Sequence, residues 1–152
     1  MTGILSDLKV LELTNAPSGS FCAKLLADQQ ADIIKVEPPG WGDAARHEPP
    51  FINGEPDFDG STTFLAFNTN KRGITLDVEQ PSGRDLFLRL AESADVVIES
   101  YPPGRLNELG LGYKTLQAAN PNLILASITY FGQTGPNAGY QGNDLVAQAV
   151  DQ

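Results

Sequence analysis

The stretch DIIKVEPPGWGD, residues 32–43, contains the feature that decides the fold. Its first half, Ile33 to Val36, is a short apolar run rich in β-branched residues, which is typical of a strand buried on both faces. The strand has to end at Glu37, because the two prolines that follow lack N–H donors for a sheet and the glycines after them free the backbone to turn. A buried strand that leads directly into such a loop is a place where a sheet presents polar side chains to a ligand.

Composition indicates one soluble globular domain. The 152 residues can bury a substantial core but are too few for two ordinary domains. No apolar run is long enough to span a membrane, and the first residues lack the pattern of a secretory leader, so we expect a cytoplasmic protein without membrane partners. The single cysteine, Cys22, cannot form an internal disulfide, and we interpret it as a small buried apolar residue.

The formal net charge of -9 argues against nucleic acid as a partner, because a phosphate backbone requires a basic surface. A small phosphorylated ligand needs only a few cations. The only adjacent basic pair is Lys71 and Arg72, in the segment FNTNKRG. On composition alone, a solvated turn is the favoured interpretation of this pair, and a phosphate contact is the alternative.

The order of apolar segments and breakers predicts an α/β fold with a largely parallel sheet. Strands are predicted over 8–13, 33–36, 73–77, 96–98 and 123–129, and helices or helical turns over 20–28, 64–67, 81–94, 106–109, 113–119 and 145–150. Loops that leave strands are rich in Gly and Pro, whereas loops that enter strands are short. In a parallel sheet all loops of the first kind lie at the carboxyl edge, where open α/β sheets bind ligands.

Three local predictions concern individual helices and loops. The first helix is predicted to direct Phe21, Cys22, Leu25 and Leu26 to one face. Residues 41–63 lack periodicity and are interpreted as a functional excursion or lid, in which His47 is a solvated loop residue. Asp144 is predicted to cap the last helix rather than to act as a nucleophile.

Several kinds of site have no support in the sequence. It contains no P-loop, no G-x-G-x-x-G after a strand, no H-E-x-x-H and no paired C-x-x-C. We therefore predict neither a metal site nor a conventional dinucleotide fingerprint.

The order of longer motifs resembles the N-terminal part of the class III CoA-transferases, the group of formyl-CoA and carnitine CoA-transferases and the related α-methylacyl-CoA racemases. The matching segments lie in the same order along the chain: residues 5–14, 31–43, 67–77, 94–104, 109–113, 120–124, the F-G-Q-T-G-P loop at 131–136, and 142–144.

This resemblance implies that residues 1–152 form a Rossmann-like, CoA-binding N-terminal portion, without the small domain and C-terminal half of the family. It also implies a homodimer or other self-association, usually of interlocked subunits. The resemblance implies that the ligand is coenzyme A and that the substrates are an acyl-CoA and a carboxylic acid acceptor. By position in the motifs, the implied CoA contacts are Ala16, Pro17, Ser18, Asn68, Lys71, Arg72, Ser100 and Tyr101. Lys71 and Arg72 would neutralise phosphate, and Tyr101 would cover a flat adenine or the thioester arm.

The implied mechanism uses an aspartate that attacks the acyl-CoA thioester to give a mixed anhydride, which the released thiolate converts to an enzyme-bound thioester. By resemblance that aspartate lies past Gln152, so we assign no catalytic residue and expect the isolated chain to be inactive. Three positions depart from the family: Gln30 replaces a usual glycine, Asn143 replaces the histidine of the racemase branch, and Pro102 replaces a frequent arginine. The alternative is a non-catalytic CoA-binding, nucleotide-binding or self-associating module.

Overall fold

Five parallel strands form a single sheet in the computed structural model, which describes residues 3–15 and 17–150. Their order across the sheet is β3-β2-β1-β4-β5. The strands are β1 (Lys9–Leu13), β2 (Asp32–Glu37), β3 (Arg72–Thr75), β4 (Val96–Glu99) and β5 (Ile124–Ser127). Each neighbouring pair is parallel, which confirms the predicted α/β, Rossmann-like fold. The strand β2 ends at Glu37, where the prolines begin, as predicted.

Helices connect the strands and cover both faces of the sheet. They are α1 (Pro17–Asp28), α2 (Thr62–Asn68), α3 (Pro81–Ala91), α4 (Arg105–Glu108), α5 (Tyr113–Ala119) and α6 (Asp144–Val150), with a 3-10 helix at Ala44–His47. Across residues 3–15 and 17–150, no helix combines the length and apolar character that a membrane crossing requires.

The two faces of the sheet have different cores, because successive side chains of a strand point to opposite sides. On one face, Leu11 of β1 and Val97 of β4 pack in a cluster with Phe87 of α3 and Leu116 of α5. On the other face, Val10, Ile33 and Ile98 pack against the small residues of α1. The face towards α1 also contains Glu12 and Lys35, which are directly opposite each other in the β1–β2 register.

The predicted apolar face of α1 was correct only in part, since Cys22 and Leu26 are partly buried and pack against the sheet. Phe21 and Leu25 are 46% and 51% exposed, whereas Ala23 and Ala27 are buried against the sheet. The reason is the close approach of the helix to β1: a Cβ atom at Gly19 would lie 2.5 Å from Cγ2 of Thr14. Small side chains occupy the centre of this contact, Cys22 and Leu26 pack at its margin, and Phe21 and Leu25 turn outwards. Cys22 is partly buried and free.

The excursion at residues 41–63 is more regular than its sequence suggested. It contains the 3-10 helix, and Phe51 and Ser61 form an isolated antiparallel bridge. The buried hydroxyl of Ser61 donates to the carbonyl oxygens of Ala45 at 2.6 Å and Glu48 at 2.7 Å. These contacts join the end of the excursion, just before α2, to the 3-10 helix and the residue that follows it.

The cap of α6 also differs from the prediction. Asp144 is the first residue of the helix rather than its cap. The side-chain oxygen Oδ1 of Asn143 accepts a hydrogen bond from the N–H of Val146 at 2.9 Å, which is the contact expected of an N-cap residue. The cap therefore lies one residue earlier, at Asn143.

Candidate functional site

A crevice of about 550 Å³ lies at the carboxyl edge of the sheet. The ends of β1, β2 and β4 and the segment after β3 contribute to its wall. The lining residues are Leu13, Thr14, Asn15, Val36, Pro38, Pro39, Leu76, Asp77, Val78, Glu79, Ser100, Tyr101 and Pro102. The loops that leave the strands therefore meet at one edge, as a parallel sheet requires.

Asn15 joins three of these loops. Its backbone N–H donates to Oγ of Ser100 at 3.1 Å, which connects the loops after β1 and β4. Its side-chain oxygen Oδ1 accepts a hydrogen bond from the N–H of Ala44 at 2.6 Å, which adds the loop after β2. One exposed residue thus sets the relative positions of three segments around the crevice.

A second amide side chain, that of Gln133, joins the loops after β4 and β5. Its Nε2 donates to Oε1 of Glu99 at 3.2 Å, and its Oε1 accepts from the N–H of Gly104 at 3.3 Å. Glu99 is buried, and its other oxygen accepts from the N–H of Tyr101 at 2.7 Å. The Glu99 carboxylate therefore orients the backbone immediately before the crevice residue Tyr101.

Beneath the loops, Lys35 is a fully buried cation between two carboxylates. Its Nζ lies 2.8 Å from Oε1 of Glu12 and 2.6 Å from Oδ2 of Asp43. It also donates to Oγ of Ser20 at 3.2 Å. Since Asp43 belongs to the loop after β2, this cluster attaches that loop to the centre of the sheet. Buried charges of this kind are tolerated only when they are paired.

Lys71, directly before β3, also belongs to this cluster. Its Nζ lies 2.7 Å from Oε2 of Glu12 and donates to Oδ1 of Asn68 and to the carbonyl of Ser20, both at 2.8 Å. Burial lowers the pKa of Lys71, against the opposing effect of the Glu12 carboxylate. The ammonium thus makes two hydrogen bonds and one ion pair with protein groups, so in this conformation Lys71 holds Asn68 and the first part of α1 together.

A further ion pair fixes the end of β2. Nε of Arg46 lies 2.6 Å from Oε2 of Glu37, and Nη2 lies 2.9 Å from Oε1, which is a bidentate contact. The pKa of Glu37 is lowered: burial raises it, but the hydrogen bonds from Arg46 and the N–H of Asp43 outweigh that effect. The guanidinium of Arg46 also lies over the ring of Phe64, 3.6 Å from its centroid.

The predicted ligand contacts within the described residues occupy four different places. Ser100 and Tyr101 line the crevice, and Pro17 and Ser18 form the exposed first turn of α1. Asn68 and Lys71 are joined to each other as described above. Arg72 begins β3 at the opposite edge of the sheet, where its guanidinium pairs with Asp32. Ala16 lies outside the described residues.

Burial also changes the titration of Tyr101. Its pKa is raised, first by burial and then by the nearby carboxylates of Glu79, Glu99 and Asp77. The phenol therefore remains neutral at physiological pH and can act as a hydrogen-bond donor to a ligand. The family resemblance predicted Tyr101 as a ligand contact, whereas the sequence analysis did not single out Asn15, Glu79 or Gln133, which the structure places in or beside the crevice. For Asn15, the sequence did offer a signal, since a polar amide stands two residues after the end of the first buried strand.

Residues 3–15 and 17–150 contain no group of three or more His, Cys, Asp or Glu side chains arranged to hold a metal ion. The crevice combines apolar walls with backbone and hydroxyl groups and with the carboxylates of Asp77 and Glu79. Such a surface is suited to a ligand with an apolar or neutral arm and a few polar contacts.

Comparison with known proteins gives a consistent result over almost the whole chain. The family model for CoA-transferase family III matches residues 5–151. The chain is 42% identical over 147 residues to succinyl-CoA:glutarate CoA-transferase of Mus musculus, covering 96% of this chain and 33% of the relative. It is also 42% identical to succinyl-CoA:mesaconate CoA-transferase of Haloarcula hispanica, covering 97% of this chain and 38% of the relative.

A solved structure agrees with the family model and with the two relatives. The crystal structure of a CAIB/BAIF family protein from Brucella suis superposes with a TM-score of 0.89 at 44% sequence identity. The superposition covers 99% of this chain and 39% of that protein. The chain thus spans between a third and two fifths of the length of these relatives.

Proposed function

Because this chain belongs to CoA-transferase family III, we propose that it forms the coenzyme A site of an enzyme that moves CoA between carboxylic acids. The observation that carries the proposal is the family match over residues 5–151, together with relatives that are named as CoA-transferases at 42% identity. The acyl donor would be a CoA thioester and the acceptor a carboxylic acid.

The geometry supports a site at the carboxyl edge. Ser100 and Tyr101 line the crevice there. In the proposed complex, Ser100 offers its hydroxyl and Tyr101 covers the adenine or the thioester arm with its ring. Pro17 and Ser18, in the first turn of α1, lie beside the loop that contributes Asn15 to the crevice, and the backbone N–H groups of a helix start favour an anion. Ala16 belongs to the same proposed contact by its position in the motif.

Asn68 and Lys71 have a supporting role in this proposal. The Lys71 ammonium is committed to Glu12, Asn68 and Ser20, so it acts by holding the turn and the first part of α1 in place. Direct neutralisation of a phosphate by Lys71 would require one of these contacts to be exchanged. Arg72 stays a prediction from the resemblance, and its pairing with Asp32 at the opposite edge favours a structural role.

Calorimetric titration with coenzyme A tests the binding proposal. We expect saturable binding that Tyr101→Ala weakens about tenfold, since loss of a stacking aromatic costs on the order of 1–3 kcal/mol. Tyr113→Ala is the matched control, because Tyr113 is exposed and starts α5 outside the crevice lining. Equal affinities of the two variants for coenzyme A would show that Tyr101 does not contribute to the binding site.

Transfer is tested separately. The full-length enzyme is incubated with succinyl-CoA and a series of carboxylic acids, and new thioesters are identified by mass spectrometry. Formation of a new acyl-CoA supports the proposed reaction. Saturable binding of coenzyme A without transfer to any acid would instead support a non-catalytic binding module.

A further inference from the structure

The crevice at the carboxyl edge has an acidic wall. Asp77 and Glu79 contribute to its lining, and no lysine or arginine is among the described residues that line it. A phosphate or carboxylate group that entered such a crevice would be repelled by these acids unless a cation turned towards it. Binding of an anionic ligand therefore requires a cationic side chain that lies next to the crevice lining and can turn towards the ligand.

Arg105 is a cation in this position. Its Nη2 lies 2.6 Å from Oε1 of Glu79, and its Nη1 lies 3.3 Å from Oε2 of Glu108. Arg105 is the first residue of α4 and directly follows the loop whose residues Ser100 and Tyr101 line the crevice. The turn into α4 depends on Gly104, which has a φ of 84°, a conformation that favours glycine.

The ion pair between Arg105 and Glu79 can be broken at little cost in stability, so that another anion can take the place of the Glu79 carboxylate. The two side chains are 37% and 61% exposed, and exposed ion pairs contribute little to stability. The backbone of Glu79 is held independently, since its N–H donates to Oδ1 of Asp77 and its carbonyl accepts from Arg84 at 2.7 Å. The Glu79 side chain can therefore rotate away while the crevice wall stays in place.

We propose that Arg105 is the anion contact of this crevice and that Glu79 occupies it, as an internal competitor, when no ligand is bound. A ligand oxyanion, from a phosphate or a carboxylate, replaces the Glu79 carboxylate on the guanidinium. The planar guanidinium accepts either group in the same bidentate geometry. The inference rests on the proposed function, because it assumes that the crevice receives part of an acyl-CoA or an acceptor acid.

Three substitutions in the full-length protein test it, with coenzyme A, succinate and uncharged pantetheine as calorimetric probes. Arg105→Gln should weaken binding of an anionic probe about tenfold, and Glu79→Gln should tighten it about threefold, as expected for charge-assisted contacts that are partly exposed. Glu108→Gln is the matched control: it removes the other carboxylate on the same guanidinium, outside the crevice lining, and should change affinity less than about twofold. Pantetheine should bind all three variants and the wild type equally.

The probe that responds identifies the source of the anion. A response of coenzyme A alone assigns Arg105 to a phosphate, and a response of succinate assigns it to a carboxylate. If the wild type binds coenzyme A or succinate but Glu79→Gln behaves like Glu108→Gln, the inference is overturned while the proposed function stands. If the wild type binds neither probe, both fail. Circular dichroism and thermal melts verify that each variant is folded.

Discussion

Nζ of Lys71 lies 2.7 Å from Oε2 of Glu12, and both side chains are at most 2% exposed. The other oxygen of Glu12 accepts from Nζ of Lys35 at 2.8 Å, so one carboxylate stands between two buried ammonium groups. This arrangement connects the centre of the sheet to the turn before β3 and to the first part of α1. The ion pair with Glu12 explains why the side chain of Lys71 is buried rather than solvated, although it belongs to a turn.

The first prediction concerns removal of this shared charge. Glu12→Gln keeps the shape of the side chain but leaves two buried ammonium groups with one remaining carboxylate, that of Asp43. We expect the free energy of unfolding to fall by about 3–5 kcal/mol, the usual cost of breaking a buried ion pair. Urea denaturation followed by circular dichroism measures it.

The control for Glu12 is Asp32→Asn, which breaks the exposed pair between Asp32 and Arg72. We expect it to cost less than about 1 kcal/mol. Comparable losses in the two variants would show that the buried cluster has no special role in stability.

The second prediction concerns acid stability. The pKa of Glu37 is lower in the folded protein than its ordinary value of 4.5, so this carboxyl group holds protons less tightly in the folded state. Its contribution is complete above pH 4.5 and is lost as the pH falls through the lowered pKa, because protons then favour the unfolded state. Denaturation between pH 6 and about 3 should therefore show a shallower loss of stability for Glu37→Gln than for the wild type.

A matched control for Glu37 is Glu55→Gln, because Glu55 is exposed and has no ion pair within the described residues. Its pH profile should follow that of the wild type. A profile of Glu37→Gln that parallels the wild type would mean that the bidentate contact with Arg46 does not govern acid unfolding.

The third prediction concerns the arrangement of loops around the crevice. Asn15→Ala removes the acceptor of the Ala44 N–H, and we expect that amide to exchange with deuterium about fivefold faster, since a hydrogen bond contributes on the order of 1 kcal/mol. Asn15→Asp keeps an acceptor oxygen and should restore protection. Hydrogen exchange measured by NMR reports each amide separately.

Asn120→Ala is the comparison for Asn15. The side chain of Asn120 donates to the carbonyls of Ala91 and Ala94, where the chain enters β4 at the other edge of the sheet. This variant should lower overall stability without changing exchange at Ala44. Unaltered exchange in Asn15→Ala would contradict the role assigned to Asn15.

The fourth prediction concerns the contact between α1 and the sheet. Ala23→Leu introduces a large side chain where the helix packs closely, and we expect a loss of about 1–3 kcal/mol from overpacking. Ala118→Leu, on the exposed side of α5, should change stability by less than about 0.5 kcal/mol. Thermal unfolding of the two variants gives the comparison. A stable Ala23→Leu protein would indicate that α1 can move away from the sheet.

Much of the fold was predictable because it depends on local patterns. The apolar run at 33–36 and the prolines after it defined β2, and the alternation of strands and helices predicted the parallel sheet. The orientation of α1 was not predictable in this way. Periodicity favoured a face that included Phe21 and Leu25, but the close packing of helix and sheet buries Ala23 and Ala27 and leaves those two larger residues exposed. Tertiary packing overrode local amphipathicity there.

The sequence by itself determined the order of the strands along the chain, the points where they end, and hence the edge at which Asn15, Pro38 and Ser100 meet. Only the tertiary structure decided the partners of the charged residues. Lys71 reaches Glu12 and Arg105 reaches Glu79 across segments that are distant in the chain. Hydrophobic periodicity and turn residues act over a few positions, whereas a charged side chain takes its partner from whichever segment the fold brings within about 3–4 Å.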